Sequence, residues 1–578
     1  MKKLRLSAFV CAITLVTLAG SARAQPQTSS SAYPEPRFPG YLRTPDTVDE
    51  IMPIARRLVR EAKGLQGDGL GIAKRGDVVA VISNSGSQPV FIQAIQRAYA
   101  EVGVTLRDVP DYSLVGLNRA DAEEVVRYVH DFTGKDGAAG ELRRWIDDRF
   151  PNPAEPKAWL KERMPEDYAA IYPEKPKPDA KLAENIKRMH RNSIATGIRT
   201  YLEEHPEVRG VFWGTGGTTG RRRSLHPLES KYLGTFVYDN PSTVMSRVSD
   251  FRGDVWRLIE EKTIEPLGYA AQVDIKDPEG TDLAWELTDE MASRWAAGVY
   301  QQGHLYMHPN QATGRFPYSL VEYPSFTRTY NPREPMPDTN GVIAGTANHA
   351  GYYSRVVVNV EHGYVTRIDG DGLYARVWNA FLKYPGINET KYPYHNKPGY
   401  WWLYEAALGT NPKFFRDPAD LLEGSNSAER NRSGVLHFGH GIRIHHSPDS
   451  MTHAQEWEDF FKTHNLPDDH WLHVHNYFAT YRLRVRETDV WIPVIEKGRL
   501  KALDDPAVRA LASRYGDPDQ ILAEEWVPEM PGVNVPGDYK KDYAPNPWPT
   551  VERVLYKEVP AGTYRYAYPK PAQSAPAR

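Results

Sequence analysis

Arg75-Gly76-Asp77-Val78-Val79-Ala80-Val81-Ile82 is a turn that runs straight into an unbroken apolar stretch. An apolar run with no polar alternation describes a strand buried on both faces, the kind found in parallel sheets. Downstream, Val90, Ile92, Ala94, Ile95, Ala98 and Tyr99 recur at helical spacing, and Gly103-Val104-Thr105-Leu106-Arg107-Asp108-Val109 reads as a second strand. Strand, helix and strand in that order predict a right-handed βαβ unit and an α/β domain with a mostly parallel sheet. Upstream, Ile51, Ile54, Leu58, Val59 and Ala62 predict a helix; downstream, a helical pattern over 182–204 precedes another buried strand, Val208–Trp213. The α/β domain is expected over residues 48–264, with a Pro/Lys/Glu-rich surface insertion at about 150–181.

After Trp213 comes Gly214-Thr215-Gly216-Gly217-Thr218-Thr219-Gly220-Arg221-Arg222-Arg223. A glycine-rich loop after a strand can cradle phosphate. Here Thr219 stands where the dinucleotide fingerprint needs its last glycine, and no Walker lysine follows. The segment reads as a plain loop.

From about residue 265 the pattern changes to short strand-like pieces (270–275, 355–360, 364–368) between Gly/Asn/Pro turns, with a helix around 372–382. That grammar predicts an α+β domain over 265–526. Residues 25–47 read as a loose N-terminal arm. Residues 527–578, rich in Pro and Tyr, read as a C-terminal extension wrapped over the surface.

Lys2, Lys3 and Arg5, an apolar run over 6–18 and Ala22-Arg23-Ala24 predict a signal peptide over 1–24 and a periplasmic or secreted protein. The apolar run is too short for a stable membrane span, so no membrane association is expected after cleavage. The one cysteine, Cys11, lies in that signal, which removes disulfides, thiolate nucleophiles and cysteine ligands from the mature chain. A formal net charge of −3 on 578 residues offers nothing to attract nucleic acid.

His437, His440, His445, His446, His453, His464, His470, His473 and His475 make up half of the chain's 18 histidines. An isolated pair is more often part of a polar interface than a ligand set. A cluster this dense without a usable thiol points to a metal site, since neutral imidazole is the commonest metal-binding side chain. His473-Val474-His475 alternates, so on a strand both rings face one way. His437 lies on a separate apolar piece, 433–438. If the strands are neighbours, three imidazoles converge and leave open positions, as a catalytic metal requires. Glu405 sits in the apolar run Tyr400-Trp401-Trp402-Leu403-Tyr404-Glu405-Ala406-Ala407, where burial is costly unless it meets a cation. It reads as a fourth ligand, a general base or a surface carboxylate.

Glu405-Ala406-Ala407-Leu408-Gly409-Thr410-Asn411-Pro412 resembles the Glu-x-x-x-Gly-Thr-Asn-Pro motif of the aminopeptidase T (thermophilic leucyl aminopeptidase) family. Glu429-Arg430-Asn431 through Leu436-His437-Phe438-Gly439-His440-Gly441 resembles that family's metal-histidine segment, Leu472-His473-Val474-His475 its final His-x-Asp pair, and Glu279-Gly280-Thr281-Asp282-Leu283 its Gly-Thr-Asp-Leu strand. These matches run in order over roughly residues 48–490. The resemblance implies a metallopeptidase acting on a small molecule or short peptide, and a homodimer.

The departures from the family change the expected metal count. Gly341-Val342 replaces the family's Gly-Glu ligand pair, His475 replaces its aspartate, and Ile444 replaces a tyrosine. Neutral imidazoles offset the charge of two cations poorly. The expectation is therefore one divalent transition-metal ion, Zn or Fe(II), per chain on His437, His473 and His475. Glu405, His440 or His445 would move the proton; His446, His453, His464 and His470 are outer or surface residues. The resemblance extends to the 2,5-dihydroxypyridine ring-cleaving dioxygenases, which use one Fe(II). The expected reaction is peptide or amide hydrolysis by metal-activated water, with ring cleavage as the alternative.

Overall fold

The computed structural model describes residues 33–43, 45–64, 67–129, 137–213, 232–235, 245–248, 251–289, 291–292, 304–306, 338–392, 397–418, 428–442, 454–467 and 472–569. The segment 1–24 expected as a signal, the glycine-rich loop 214–223 and His445, His446, His453 and His470 lie outside them. Among the described residues no helix is long and apolar enough to cross a membrane.

Helix α1 (Val48–Leu58) leads to β1 (Val78–Ser83), α2 (Pro89–Val102) and β2 (Thr105–Pro110). Gly103, at φ +81°, ends α2 in the left-handed conformation that lets the chain turn back into β2. Helices α3 (Gly137–Arg149) and α4 (Arg191–Glu204) then precede β3 (Val208–Trp213) and β4 (Tyr232–Thr235). The four strands form one parallel sheet in the order β2-β1-β3-β4, consistent with the expected α/β class. The segment expected as a Pro-rich insertion contains two short helices, Ala154–Arg163 and Pro165–Ile171, which bury Leu160 and Ile171.

After α5 (Gly253–Ile264) the architecture becomes antiparallel. Strands β5 (Ala270–Lys276), β6 (Asp282–Glu286), β7 (Thr339–Ala347), β8 (Tyr352–Glu361) and β9 (Tyr364–Asp369) are followed by α6 (Leu373–Phe381). Then come β10 (Trp402–Gly409), β11 (Leu436–Gly441), β12 (Leu472–Asn476), β13 (Thr480–Val485), β14 (Trp491–Glu496) and β15 (Arg499–Leu500). They pair in the order β12-β11-β10-β9-β8-β7-β6-β5-β13-β14-β15, and strand His304–Tyr306 adds to β10.

This sheet curls until β12 meets β7. Asn476 Nδ2 donates to the carbonyl of Ala344 at 2.7 Å, and Thr281 Oγ1 donates to Asn476 Oδ1 at 2.8 Å. A Cβ on Gly345 would stand 2.6 Å from Val474 Cγ1, so glycine permits the approach. One hydrophobic cluster runs through both sheets. Its hub is Trp145 of α3, whose Nε1 donates to Tyr400 Oη at 2.9 Å and whose ring meets Phe381 at 4.8 Å. Helix α3, though it belongs to the N-terminal region, is thereby driven into the antiparallel sheet.

The arm and the extension lock together. Phe38 is buried, Phe38–Pro39 pairs with Ala567–Tyr568, and Phe38, Trp526, Met530, Tyr543 and Val551 share a second apolar cluster.

Candidate metal centre

Strand register assembles the first part of the site. β11 and β12 are antiparallel with His437 opposite His475 and Gly439 opposite His473. Residues opposite one another share a face, as do residues two apart on a strand, so all three imidazoles emerge on one side. Gly439 has no side chain to compete with the His473 ring. β10 adds Glu405, opposite Gly439 on the same face. His440, an odd number of residues from His437, points the other way. Its Nδ1 lies 2.8 Å from the carbonyl of Leu472, and its ring packs edge-on to Trp378 at 4.8 Å. His464 is exposed at the end of helix Ala454–His464, on Phe460.

The curl of the sheet supplies a histidine the motifs did not reveal. His349 sits in the turn between β7 and β8, where Asn348 Oδ1 accepts from the amides of Ala350 and Gly351 at 3.0 and 3.1 Å. Its ring centroid is 4.6 Å from that of His437, 4.2 Å from His473 and 4.9 Å from His475. None of the four histidines is more than 5% exposed. His349, His437 and His473 each offer a nitrogen, and these atoms lie within 4.8 Å of one another. Ligands sharing one ion stand roughly 3–3.4 Å apart, so binding one would draw these nitrogens closer.

Each ring of this trio is held at Nδ1 from outside. His437 Nδ1 is 2.9 Å from His475 Nε2, His473 Nδ1 is 2.6 Å from Glu141 Oε1, and His349 Nδ1 is 3.3 Å from Arg430 Nη1. Partners such as His475 and Glu141 fix ring orientation at metal sites, whereas Arg430, which only donates, occupies a lone pair of His349 in the ion-free chain. A chain of contacts sets the protonation of His437. Glu429 is paired with Arg416 at 2.7 Å and accepts from His475 Nδ1 at 2.6 Å. A neutral imidazole has one N–H and one lone pair. His475 Nε2 therefore accepts from His437 Nδ1, which leaves the lone pair of His437 Nε2 facing Glu405 Oε2 at 2.9 Å. In the ion-free chain a proton shared by the two atoms satisfies them, and a divalent ion can take its place. Ligands at right angles on one ion, with bonds of about 2.1 Å, stand about 3 Å apart.

The electrostatics suit imidazole donors. Burial holds His349 well below its ordinary pKa, reinforced by His473, Arg430, His437 and His475. Burial also lowers His475, against the pull of Glu429. Both rings are neutral at pH 7. Burial raises Glu141 to about 8, with Arg144 offsetting part of the effect.

A pH dependence follows. A carboxylate raised from its ordinary 4.5 to about 8 favours the ion-free fold below pH 4.5, and that contribution fades as pH rises through about 8. Ion binding wants Glu141 ionised, so that His473 presents Nδ1–H outward and a lone pair inward. Loading should therefore release a proton below pH 8, and affinity should rise by up to about tenfold per pH unit between pH 6 and 8. Isothermal titration with Zn²⁺ in buffers of different ionisation enthalpy counts that proton. Glu141→Gln should reduce the count by one.

Two residues at the site, His349 and Glu141, escaped the sequence reading. His349 belongs to no histidine cluster in the sequence. Glu141 did leave a signal: it lies four residues before Trp145 and one before Leu142, a carboxylate on the apolar stripe of α3.

No protein-family model matches the chain, and no curated protein matches it. The resemblance to the aminopeptidase T family accordingly rests on the motifs alone. Among solved structures, a 2,5-dihydroxypyridine dioxygenase from Pseudomonas putida KT2440 aligns over 79% of this chain and 98% of its own, at 12% identity and a TM-score of 0.38. A likeness at that level specifies neither a family nor a reaction for this chain.

Proposed function

We propose that this chain is an exported metalloenzyme carrying one divalent transition-metal ion on His349, His437 and His473, with Glu405 beside it as a further ligand or general base and a position left open for water. The observation that carries this reading is the gathering of one nitrogen from each of three buried histidines within 4.8 Å, with Glu405 Oε2 2.9 Å from His437 Nε2. The reaction it supports best is hydrolysis of a peptide or amide bond. Three neutral imidazoles and one carboxylate leave net positive charge on a divalent ion, and such an ion polarises a carbonyl and acidifies a coordinated water. The chain's own groups orient the donors: His475 and Glu429 hold His437, and Glu141 holds His473. Glu141, titrating near neutrality, can take up and return a proton through Oε1 at His473 Nδ1.

The same donors accommodate iron(II), which supports a second reading, oxygen-dependent cleavage of a hydroxylated aromatic or pyridine ring. Anaerobic purification followed by metal analysis separates the two. The hydrolase is expected to hold one zinc per chain and release amine from an aminoacyl-amide library without oxygen uptake. One iron per chain with oxygen consumed on a dihydroxylated ring would replace the hydrolase by the oxygenase. No bound metal from any divalent ion supplied would overturn both.

A further inference from the structure

Arg430 stands apart from the other arginines around the site. Arg416 and Arg432 flank it in sequence, are fully buried, and are paired with Glu429 and Glu524 at 2.7 and 3.3 Å. Arg430 is half-buried, and among the described residues no carboxylate pairs with it. Its Nη1 lies 3.3 Å from His349 Nδ1, and among the described residues its buried Nε has no hydrogen-bond partner.

The backbone under Arg430 is rigid. It belongs to the single turn Ala428–Asn431, which lies directly on the end of β10. A Cβ on Gly409 would stand 2.5 Å from the carbonyl oxygen of Arg430 and 2.1 Å from that of Arg432. The amides of Asn411 and Ser433 bond across this contact at 3.1 and 3.0 Å. The guanidinium is therefore presented from a fixed base beside the histidines.

Its contact with His349 cannot survive loading of the ion. Arg430 donates to a lone pair on Nδ1. If His349 ligates through Nδ1, the lone pair is consumed; if through Nε2, the neutral ring carries its proton on Nδ1 and opposes the guanidinium. Either way the fork of donors is released next to the ion, and among the described residues no carboxylate is paired with it. A released guanidinium fits a planar carboxylate, which it binds by two parallel hydrogen bonds.

We propose that Arg430 is the anchor for a carboxylate on the substrate, so that the molecule acted on at the metal is an organic acid, held by its carboxylate within reach of the ion. This rests on the metal-site reading above. The test titrates zinc-loaded protein with benzoate and its neutral counterpart benzamide, using the parent, Arg430→Gln and Arg430→Lys, with zinc content measured in each sample. The parent should bind benzoate more tightly than benzamide. Arg430→Gln should lose about 10- to 100-fold in benzoate affinity at unchanged zinc content, with Arg430→Lys recovering only part of it. Equal binding of acid and amide, or undiminished benzoate binding by Arg430→Gln, overturns the proposal. Failure of the metal reading shows separately as absent zinc. That outcome overturns the anchor as well, because the guanidinium leaves His349 only on loading, whereas zinc bound without an acid preference overturns the anchor alone.

Discussion

His437→Ala is expected to leave purification without a bound divalent ion under conditions in which the parent chain holds one. His437 is the residue at which the two halves of the site join: its Nε2 faces Glu405 and its Nδ1 is fixed by His475. Removing it deletes a ligand and separates Glu405 from the chain that ends at Arg416. His349→Ala and His473→Ala should have the same effect, since each supplies one of the three nitrogens gathered within 4.8 Å. His475→Ala should be milder. It removes a partner that orients a ligand, a change that costs about 10- to 100-fold in affinity. His440→Ala should leave affinity unchanged, because that ring lies on the opposite face against Trp378. Metal content and zinc affinity across the five variants check the series. Metal loss in His440→Ala, or full retention in His437→Ala, would show that the ion sits elsewhere.

The largest expected effect on stability comes from Arg416→Met. Arg416 and Glu429 are both completely buried, and the guanidinium also donates to the carbonyl of Asn348 at 2.9 Å and to Tyr477 Oη at 3.0 Å. Replacing the cation by an apolar side chain of similar length strands the Glu429 charge in a medium that cannot solvate it. Breaking one side of such a pair costs about 3–5 kcal/mol, whereas removing both sides costs far less. Arg416→Met should therefore lower the denaturant midpoint markedly, and Arg416→Met with Glu429→Leu should recover much of the loss. The same substitution reaches the metal, because Glu429 holds His475 and His475 holds His437. Zinc affinity should fall together with stability. A midpoint unchanged in the single variant would mean that Glu429 is neutral in the fold, and the proton assignment along the chain would have to be reversed.

The parallel α/β sheet was legible in the sequence because its signals are local. Five apolar residues from Val78 to Ile82, a helical stripe and a second strand define a βαβ unit whatever surrounds them. The alternation of His473 and His475 was equally local, since a strand puts residues two apart on one face. The same rule assigns His440 to the far side of the sheet from His437, although its place in the histidine-rich run drew it into the expected site. The buried carboxylate at Glu405 was visible as an anomaly in an aromatic run, but whether it met a solvent, a base's substrate or a ligand depended on which strand lay beside β10.

By itself, then, the sequence determined the class of the fold, the strands that carry His437, His473 and His475, and the abundance of imidazole in a chain whose one cysteine is Cys11. Only the tertiary structure decided which imidazoles share a space. His349 joins because the antiparallel sheet curls until β12 meets β7, an approach set by contacts such as Asn476 with Ala344 that no periodicity encodes. Glu141 joins because Trp145, one turn further along α3, is buried among Phe381, Tyr400 and Trp401, which belong to the other sheet. Local pattern follows from the geometry of a single strand or helix. The composition of the site follows from packing between elements hundreds of residues apart, where burial energy rather than spacing chooses the neighbours.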